Sequence, residues 1–268
     1  TKKKFKDRFS FHNLKFSELN KAIDKNSKVD FVIFDLGISS LQISNFNRGF
    51  SFNSKGKLDM RMGLNSISAE DVLNKLNLDT LRNIIKFFGE DKDSFRIATN
   101  IIKQRKKGPI TSTSKFVEII EKSKKKDFKK KINPSTKTFQ AVRIFVNKEI
   151  NELIDGLSVA TEFLKSGGKL IIISFHSIED KIIKFFFSNF SKNKSKGSRY
   201  YPDIDNNIIL FENYKNKIIK PTKSELDINS SSRSAKLRFA TRSSENFSYP
   251  TDLKKKFLYL LNLESENV

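Results

Sequence analysis

The stretch Val29–Phe34, VDFVIF, running straight into Asp35-Leu36-Gly37, is the part of this sequence whose reading decides the fold. It is an almost continuous apolar run of strand length, the pattern of a strand buried on both faces of a parallel sheet. A second run of the same kind, Lys169–Phe175 (KLIIISF), lies far downstream and ends at His176-Ser177. Parallel strands need a long crossover between them, so the intervening chain is expected to be largely helical. The class that follows is α/β. In open sheets of this kind ligands bind beyond the carboxyl ends of the strands. Asp35 and His176 hold that position on the two best strands.

Working outward, Thr138–Leu164 reads as one long amphipathic helix. Phe139, Val142, Val146, Ile150, Leu153, Leu157, Ala160 and Leu164 recur at spacings of three and four, and Gly167-Gly168 is the expected stop. Upstream, Ser68 with Asp71 resembles a capping box, followed by Leu81–Phe88 closing at Gly89. Lys92–Lys107 stops at Gly108-Pro109, and a further helix opens near Thr113. Ser177 and Asp180 suit the start of a helix after the second strand. Phe9–Leu14 alternates as a short strand would, and Ala235–Thr241 (AKLRFAT) reads as a last strand. The polar stretch 191–232 reads as a long loop.

Composition narrows the function classes. Lys and Arg total 52 against 30 Asp and Glu, a formal net charge of +22, which favours a polyanion such as nucleic acid as partner. The abundance of Phe (26) and of Ile, Asn and Lys also matches the bias of an AT-rich genome, so part of the basic excess can be drift. With no Cys there is no disulfide framework and no thiolate metal site, and two His are too few for an imidazole zinc site. No metal is expected. No apolar run reaches membrane-spanning length and no signal region follows the basic start, so a cytoplasmic protein is expected. The first residue is Thr, which is not expected to be a natural start.

Five blocks then stop being generic: DFVIFDLGISSLQ (30–42), RGFSFNSKGKLDMRM (48–62), NPSTKTFQAVRIFVNKEINEL (133–153), GGKLIIISFHSIEDKIIK (167–184) and RSAKLRF (233–239). In that order they resemble the ribosomal RNA small subunit methyltransferase H family, which methylates a cytosine N4 in the decoding region of 16S rRNA. The likeness runs from about Asp7 to Arg242. It implies a Rossmann-like class I methyltransferase sheet with an inserted all-helical domain. The expected layout is a discontinuous methyltransferase domain over residues 1–62 and 132–245, a helical substrate-recognition insert over 63–131 and a C-terminal tail over 246–268. It also implies S-adenosylmethionine as cofactor, and 16S rRNA or the small ribosomal subunit as partner.

The positions matching the family's cofactor contacts are Phe16, Asp35 and Gln42. Phe16 can stack on the adenine face, Asp35 can accept a hydrogen bond, and Gln42 can both donate and accept one. Asp35 is also the candidate catalytic residue, as the group that orients the acceptor amine. Arg61, Arg143, His176 and Ser177 are candidates for substrate or RNA contact. Each residue also has a plainer reading. Asp35 can cap a loop, His176 can be a satisfied core-edge histidine, Arg61 and Arg143 can form surface ion pairs, and Phe16 can be core. The basic run Lys124–Lys131 can be a solvated face.

The sequence also departs from the family. The family's glycine-rich turn of GGH type and the acidic residue ending its second strand both lie upstream of the segment matching Asp7-Arg8-Phe9, and neither occurs here. The family's first strand lies beside the one matching Val29–Phe34, so an incomplete sheet with an open edge and weak cofactor binding are expected. An active methyltransferase whose natural chain is longer is therefore weighed against a non-catalytic RNA- or ribosome-binding relative. A DNA amino-methyltransferase is disfavoured, because DLGIS stands where an Asn or Asp followed by two prolines and an aromatic would be.

Overall fold

The computed structural model describes residues 8–63, 65–124, 133–193 and 208–268. One three-stranded sheet has the order β1-β2-β3, with β1 Val29–Asp35, β2 Leu164–Ser174 and β3 Lys236–Thr241. β1 and β2 are parallel, and β3 runs antiparallel to β2. The helices in chain order are α1 (Ser40–Ser44), α2 (Ala69–Lys75), α3 (Leu78–Phe87), α4 (Ser94–Arg105), α5 (Thr113–Ser123), α6 (Thr136–Asn147), α7 (Glu149–Phe163), α8 (Ser177–Asn189), α9 (Lys223–Ile228), α10 (Thr251–Lys256) and α11 (Leu258–Glu264). The chain is mixed α/β, as expected. No helix among the described residues is long and apolar enough to cross a membrane.

Two compact units form. One holds the chain up to Leu36 with Glu152–Lys256, and the other holds Gly37–Asn151 with Phe257–Val268. These limits differ from those expected from the sequence, since residues 37–62 and 133–151 group with the helices. Within the helical unit, buried Leu73, Leu81, Ile84, Ile85, Ile101 and Ile120 meet in the core, and Phe116 stacks on Phe139 with ring centres 5.0 Å apart. Burying each such side chain stabilises by about 1.5–3 kcal/mol, far more than helix propensity adds. The helix starts are read locally. Ser68 and Asp71 close the box on α2, where Lys75 and Ser68 hold the Asp71 carboxyl down at about 2. Asn77 and Ser112 cap α3 and α5.

In the sheet unit, α8 packs on β2 and β3. Phe186, Phe187, Phe190 and Phe211 form a cluster in which Phe211 meets Phe186 and Phe187 edge to face, with Phe187 and Phe211 centres 5.1 Å apart. Leu170, Ile172 and Ala240 line the same covered side of the sheet. The other side is open. Phe31 and Ile33 on β1 are 60% and 63% exposed, and Phe239 on β3 is 45% exposed. β1 is also an edge strand among the described residues. The expectation that Val29–Phe34 is buried on both faces is thus corrected: only the Val32 and Phe34 side is covered. A run of apolar residues records burial in its final context, and an edge strand with one bare face lies outside what periodicity distinguishes.

Other expectations are corrected as well. Phe9–Leu14 is irregular, with Phe11 73% exposed. The single helix over Thr138–Leu164 is two, because Lys148 takes a left-handed conformation (φ 51°) between α6 and α7. Gly167-Gly168 does not end a helix; it lies inside β2. The register jumps from Val29 opposite Leu164 to Phe31 opposite Lys169, and the surplus residues bulge out. A side chain at Gly168 would lie 2.9 Å from the carbonyl oxygens of Asp30 and Lys165, so the bulge needs glycine there. The loop expected over 191–232 contains α9 and a 3-10 turn at Ser230–Ser234; residues 194–207 lie outside the described ones. Of the basic run 124–131 only Lys124 is described. Its ammonium is covered and paired with Asp91 at 2.6 Å.

The expected tail folds into α10 and α11, and its Glu264 is almost fully buried. The Glu264 carboxylate accepts from the backbone N–H groups of Ile150 and Asn151 at 2.8 and 2.9 Å and from the Asn151 side chain at 2.6 Å, capping the first turn of α7. Burial pushes this carboxyl up to about 8, with the three donors pulling the other way. Folded chain therefore holds the proton more tightly than unfolded chain. The contribution to stability is full below about pH 4.5, the ordinary value, and is lost as pH rises towards 8. Thermal melts across that range should show the decline in the parent and a flatter profile in Glu264→Gln, since the amide cannot ionise.

Candidate functional site

The parallel pairing of β1 with β2 sets Asp35 opposite Ile173, and Leu36 N–H donates to the Ile173 carbonyl at 3.0 Å. Asp35 and the turn at His176 therefore both stand at the carboxyl ends of parallel strands, as the sequence predicts. The Asp35 side chain is exposed and has no hydrogen bond or ion pair among the described residues. A carboxylate in this setting has its acceptor capacity free.

Phe16 sits in a 3-10 turn, Phe16–Lys21, and stacks on Phe34 with centres 4.9 Å apart and planes at 15°. Phe16 is 40% exposed, so Phe34 backs its ring without enclosing it. Phe34 and Asp35 are successive strand residues and point to opposite faces. The ring and the carboxylate thus share the end of β1 from its two sides. Glu152 on α7 holds the turn in place, accepting from Ser17 Oγ at 2.8 Å and pairing with Lys15 at 3.5 Å. Gly156, one helical turn on, lets Phe16 approach, since a Cβ there would lie 2.9 Å from that of Phe16.

His176 is 9% exposed and belongs to a cap. Its Nδ1 accepts from the Glu179 N–H at 3.4 Å, and Glu179 Oε2 accepts from the Phe175 and His176 N–H groups at 2.8 and 3.2 Å. Nε2 lies 3.0 Å from Glu179 Oε1. The expected N-terminal pair of Ser177 and Asp180 is corrected to His176 and Glu179, and Ser177 is the half-buried first residue of α8. This geometry favours the core-edge reading of His176.

Asp180 serves a network that the sequence reading missed. Arg238, 3% exposed, donates to the Asp180 carboxylate at 2.8 and 3.4 Å, to Tyr214 Oη at 3.0 Å and to Asn216 Oδ1 at 2.8 Å. Lys236 adds a contact at 3.3 Å. Burial alone would raise the Asp180 carboxyl, but Arg238 and Lys236 hold it below its usual value. The signal was the arginine between Leu237 and Phe239 in the last strand, KLRFAT, which needs a partner once covered.

The other candidates lie in the helical unit. Gln42 is engaged locally: its Oε1 accepts from the Ser39 N–H at 2.9 Å and its own N–H donates to Ser39 Oγ at 3.2 Å, closing a capping box on α1. Its amide N–H groups have no described partner. Arg61 pairs with Asp59, which raises the guanidinium above its usual value. Arg143 makes a two-pronged pair with Glu149 at 2.8 and 2.9 Å and is largely covered, so its fork is filled. The ion-pair reading thus holds for both arginines, although Arg61 keeps 39% of its side chain exposed.

Two consequences can be measured. Arg238→Ala leaves the Asp180 charge without its main partner and should cost about 3–5 kcal/mol in urea unfolding. Gly156→Ala should cost about 1–3 kcal/mol by pushing Phe16 off Phe34.

A family profile described as the MraW methylase family matches residues 1–243. The chain is similar to proteins named ribosomal RNA small subunit methyltransferase H. That of Agrobacterium fabrum is 41% identical over 235 residues, covering 88% of this chain and 68% of that protein. That of Bartonella bacilliformis is 43% identical over 227 residues, covering 85% and 68%. That of Brucella anthropi is 39% identical over 244 residues, covering 90% and 70%.

Proposed function

The chain belongs to the MraW methylase family, and from that premise we propose that it methylates small-subunit ribosomal RNA, placing a methyl group on a cytosine N4 in the decoding region of 16S rRNA. The observation that carries this reading is a free, exposed carboxylate, Asp35, at the end of a parallel strand in a chain of the methylase family. The net charge of +22 suits an RNA partner, in 16S rRNA or the small subunit, and action in the cytoplasm follows from that partner. The sheet is read as Rossmann-like, with residues 63–131 taking the part of the substrate-recognition insert.

S-adenosylmethionine supplies an electrophilic methyl group when bound. The residues present fit it in part. Within the sheet unit, Phe16, backed by Phe34, offers a ring with exposed surface for an adenine, and Asp35 offers an unused acceptor. The lone pair of a cytosine N4 is delocalised into its ring, which makes the amine a weak nucleophile. Asp35 accepts a hydrogen bond from that amine and so fixes its direction, and positioning of this kind supplies much of a transfer rate. The N4–methyl bond would form as the methyl–sulfonium bond breaks, and the proton that N4 then sheds would pass to solvent, with Asp35 keeping its orienting role.

The test supplies unmethylated small subunits and labelled S-adenosylmethionine, and maps the incorporated methyl by mass spectrometry. Label at a cytosine N4 is expected, and Asp35→Asn should lower incorporation by about a hundredfold. Label at another atom removes the N4 assignment, and an undiminished Asp35→Asn rate removes the role of Asp35. A chain that binds the subunit and incorporates nothing would be a non-catalytic ribosome-binding protein.

A further inference from the structure

Among the described residues of 49–68 there is no helix and no strand, yet the segment is tied down at several points. Ser54 Oγ donates to the Phe46 carbonyl at 2.6 Å, Leu58 N–H to the Thr111 carbonyl at 3.1 Å, and Met60 N–H to the Arg48 carbonyl at 2.9 Å. Thr113 Oγ1 donates to the Ser54 carbonyl at 2.7 Å. A long irregular segment inside a packed unit is ordinarily a functional loop. Phe50, Leu58 and Met60 bury their side chains beneath it.

At Met60 the loop adopts φ 58°, a conformation that a non-glycine residue holds only when its surroundings force it. The forcing group is Asn147, at the end of α6 and 5% exposed. Its Nδ2 donates to the Met60 carbonyl at 2.8 Å and to the Arg143 carbonyl at 2.9 Å. Its Oδ1 accepts from Met62 N–H at 2.7 Å and from Asn65 Nδ2 at 2.9 Å. Both donors and both acceptor positions of the amide are used, so Asn147 reads the loop on either side of Arg61. An aspartate cannot donate, and an aliphatic residue can do neither.

The clamped loop is cationic. Residues 48–62 carry four cationic side chains, Arg48, Lys55, Lys57 and Arg61, and one carboxylate, Asp59, which pairs with Arg61. Lys55 and Lys57 are exposed and have no partner among the described residues. Arg48 is fixed by a hydrogen bond to the Arg61 carbonyl and by the Phe50 ring 5.6 Å away. Rigid backbone carrying unpaired ammonium groups binds a polyanion without first paying to order itself.

We propose that Asn147 is a positioning residue that holds the strained Met60 turn, so that the 48–62 loop presents Lys55, Lys57 and Arg61 as a preformed contact for RNA phosphates. This rests on the RNA reading above and adds to it the segment that meets the backbone and the group that shapes it.

The experiment titrates the full chain against a fluorescein-labelled hairpin from the small-subunit decoding region, by anisotropy over a salt series. Lys55→Gln, Lys57→Gln and Arg61→Gln should each make the dependence of log affinity on log salt shallower by about 0.7–0.9. Asn147→Ala should weaken binding about tenfold, and should add nothing in the triple variant that lacks the three cations. Additive losses, or parental affinity in Asn147→Ala, overturn the proposal. Because Asn147→Ala can fail to fold, lysine acylation of the unaltered chain gives a second measure. Lys55 and Lys57 should be protected by the hairpin, and full reactivity in the complex overturns the proposal. If the unaltered chain shows no salt-dependent binding, the RNA reading itself fails; binding that ignores the loop variants sinks this inference alone.

Discussion

The parallel pairing of β1 with β2 is the constraint on which the sheet unit depends. The two strands are separated by most of the helical residues, yet their hydrogen bonds run from Val29 opposite Leu164 to Asp35 opposite Ile173. Closing so long a connection costs chain entropy that local propensity cannot offset. Burial on the covered face offsets it, through Phe34, Leu170 and Ile172 and the phenylalanine cluster of α8. Once the strands pair in parallel, their carboxyl ends must share one edge. That is why an exposed Asp35 and a capped His176 turn lie at the same end of the sheet.

Buried polar groups mark where the unit cannot slip. Arg238 sits among apolar strand neighbours and is tolerated because Asp180, Tyr214 and Asn216 satisfy its guanidinium. Replacing such a group with a hydrophobe can be neutral, whereas removing one partner leaves a stranded charge. In the helical unit the corresponding groups are Asn147, whose amide is fully used, and Glu264, whose carboxylate closes the start of α7. In both units these polar anchors come from segments far apart in sequence, so they fix tertiary register where apolar contacts alone would permit sliding.

Much of the local structure was legible. The Ser68 and Asp71 box, the strand at Val29–Asp35, the strand ending before His176 and the last strand near Lys236–Thr241 all follow from residue type and spacing. The failures share a cause. The break between α6 and α7 at Lys148 leaves the apolar spacing of three and four intact, so periodicity passes over it. Gly167-Gly168 has the look of a helix stop but serves a bulge dictated by the Asp30 carbonyl across the sheet. Among the candidate site residues, Phe16, Asp35 and Gln42 were picked out by family resemblance, while the structure supplies what each side chain already does: a stack, a free carboxylate and a helix cap.

Sequence alone determined the α/β class, the two parallel strands, the cationic balance and the family, because each is written in residue type or in short-range order. Tertiary structure decided which face of β1 is covered, which arginines are already paired, and that an asparagine at a helix end holds a strained methionine turn. Those outcomes depend on which distant groups meet, and on whether a buried donor or acceptor finds a partner there. Spacing along the chain carries no record of either.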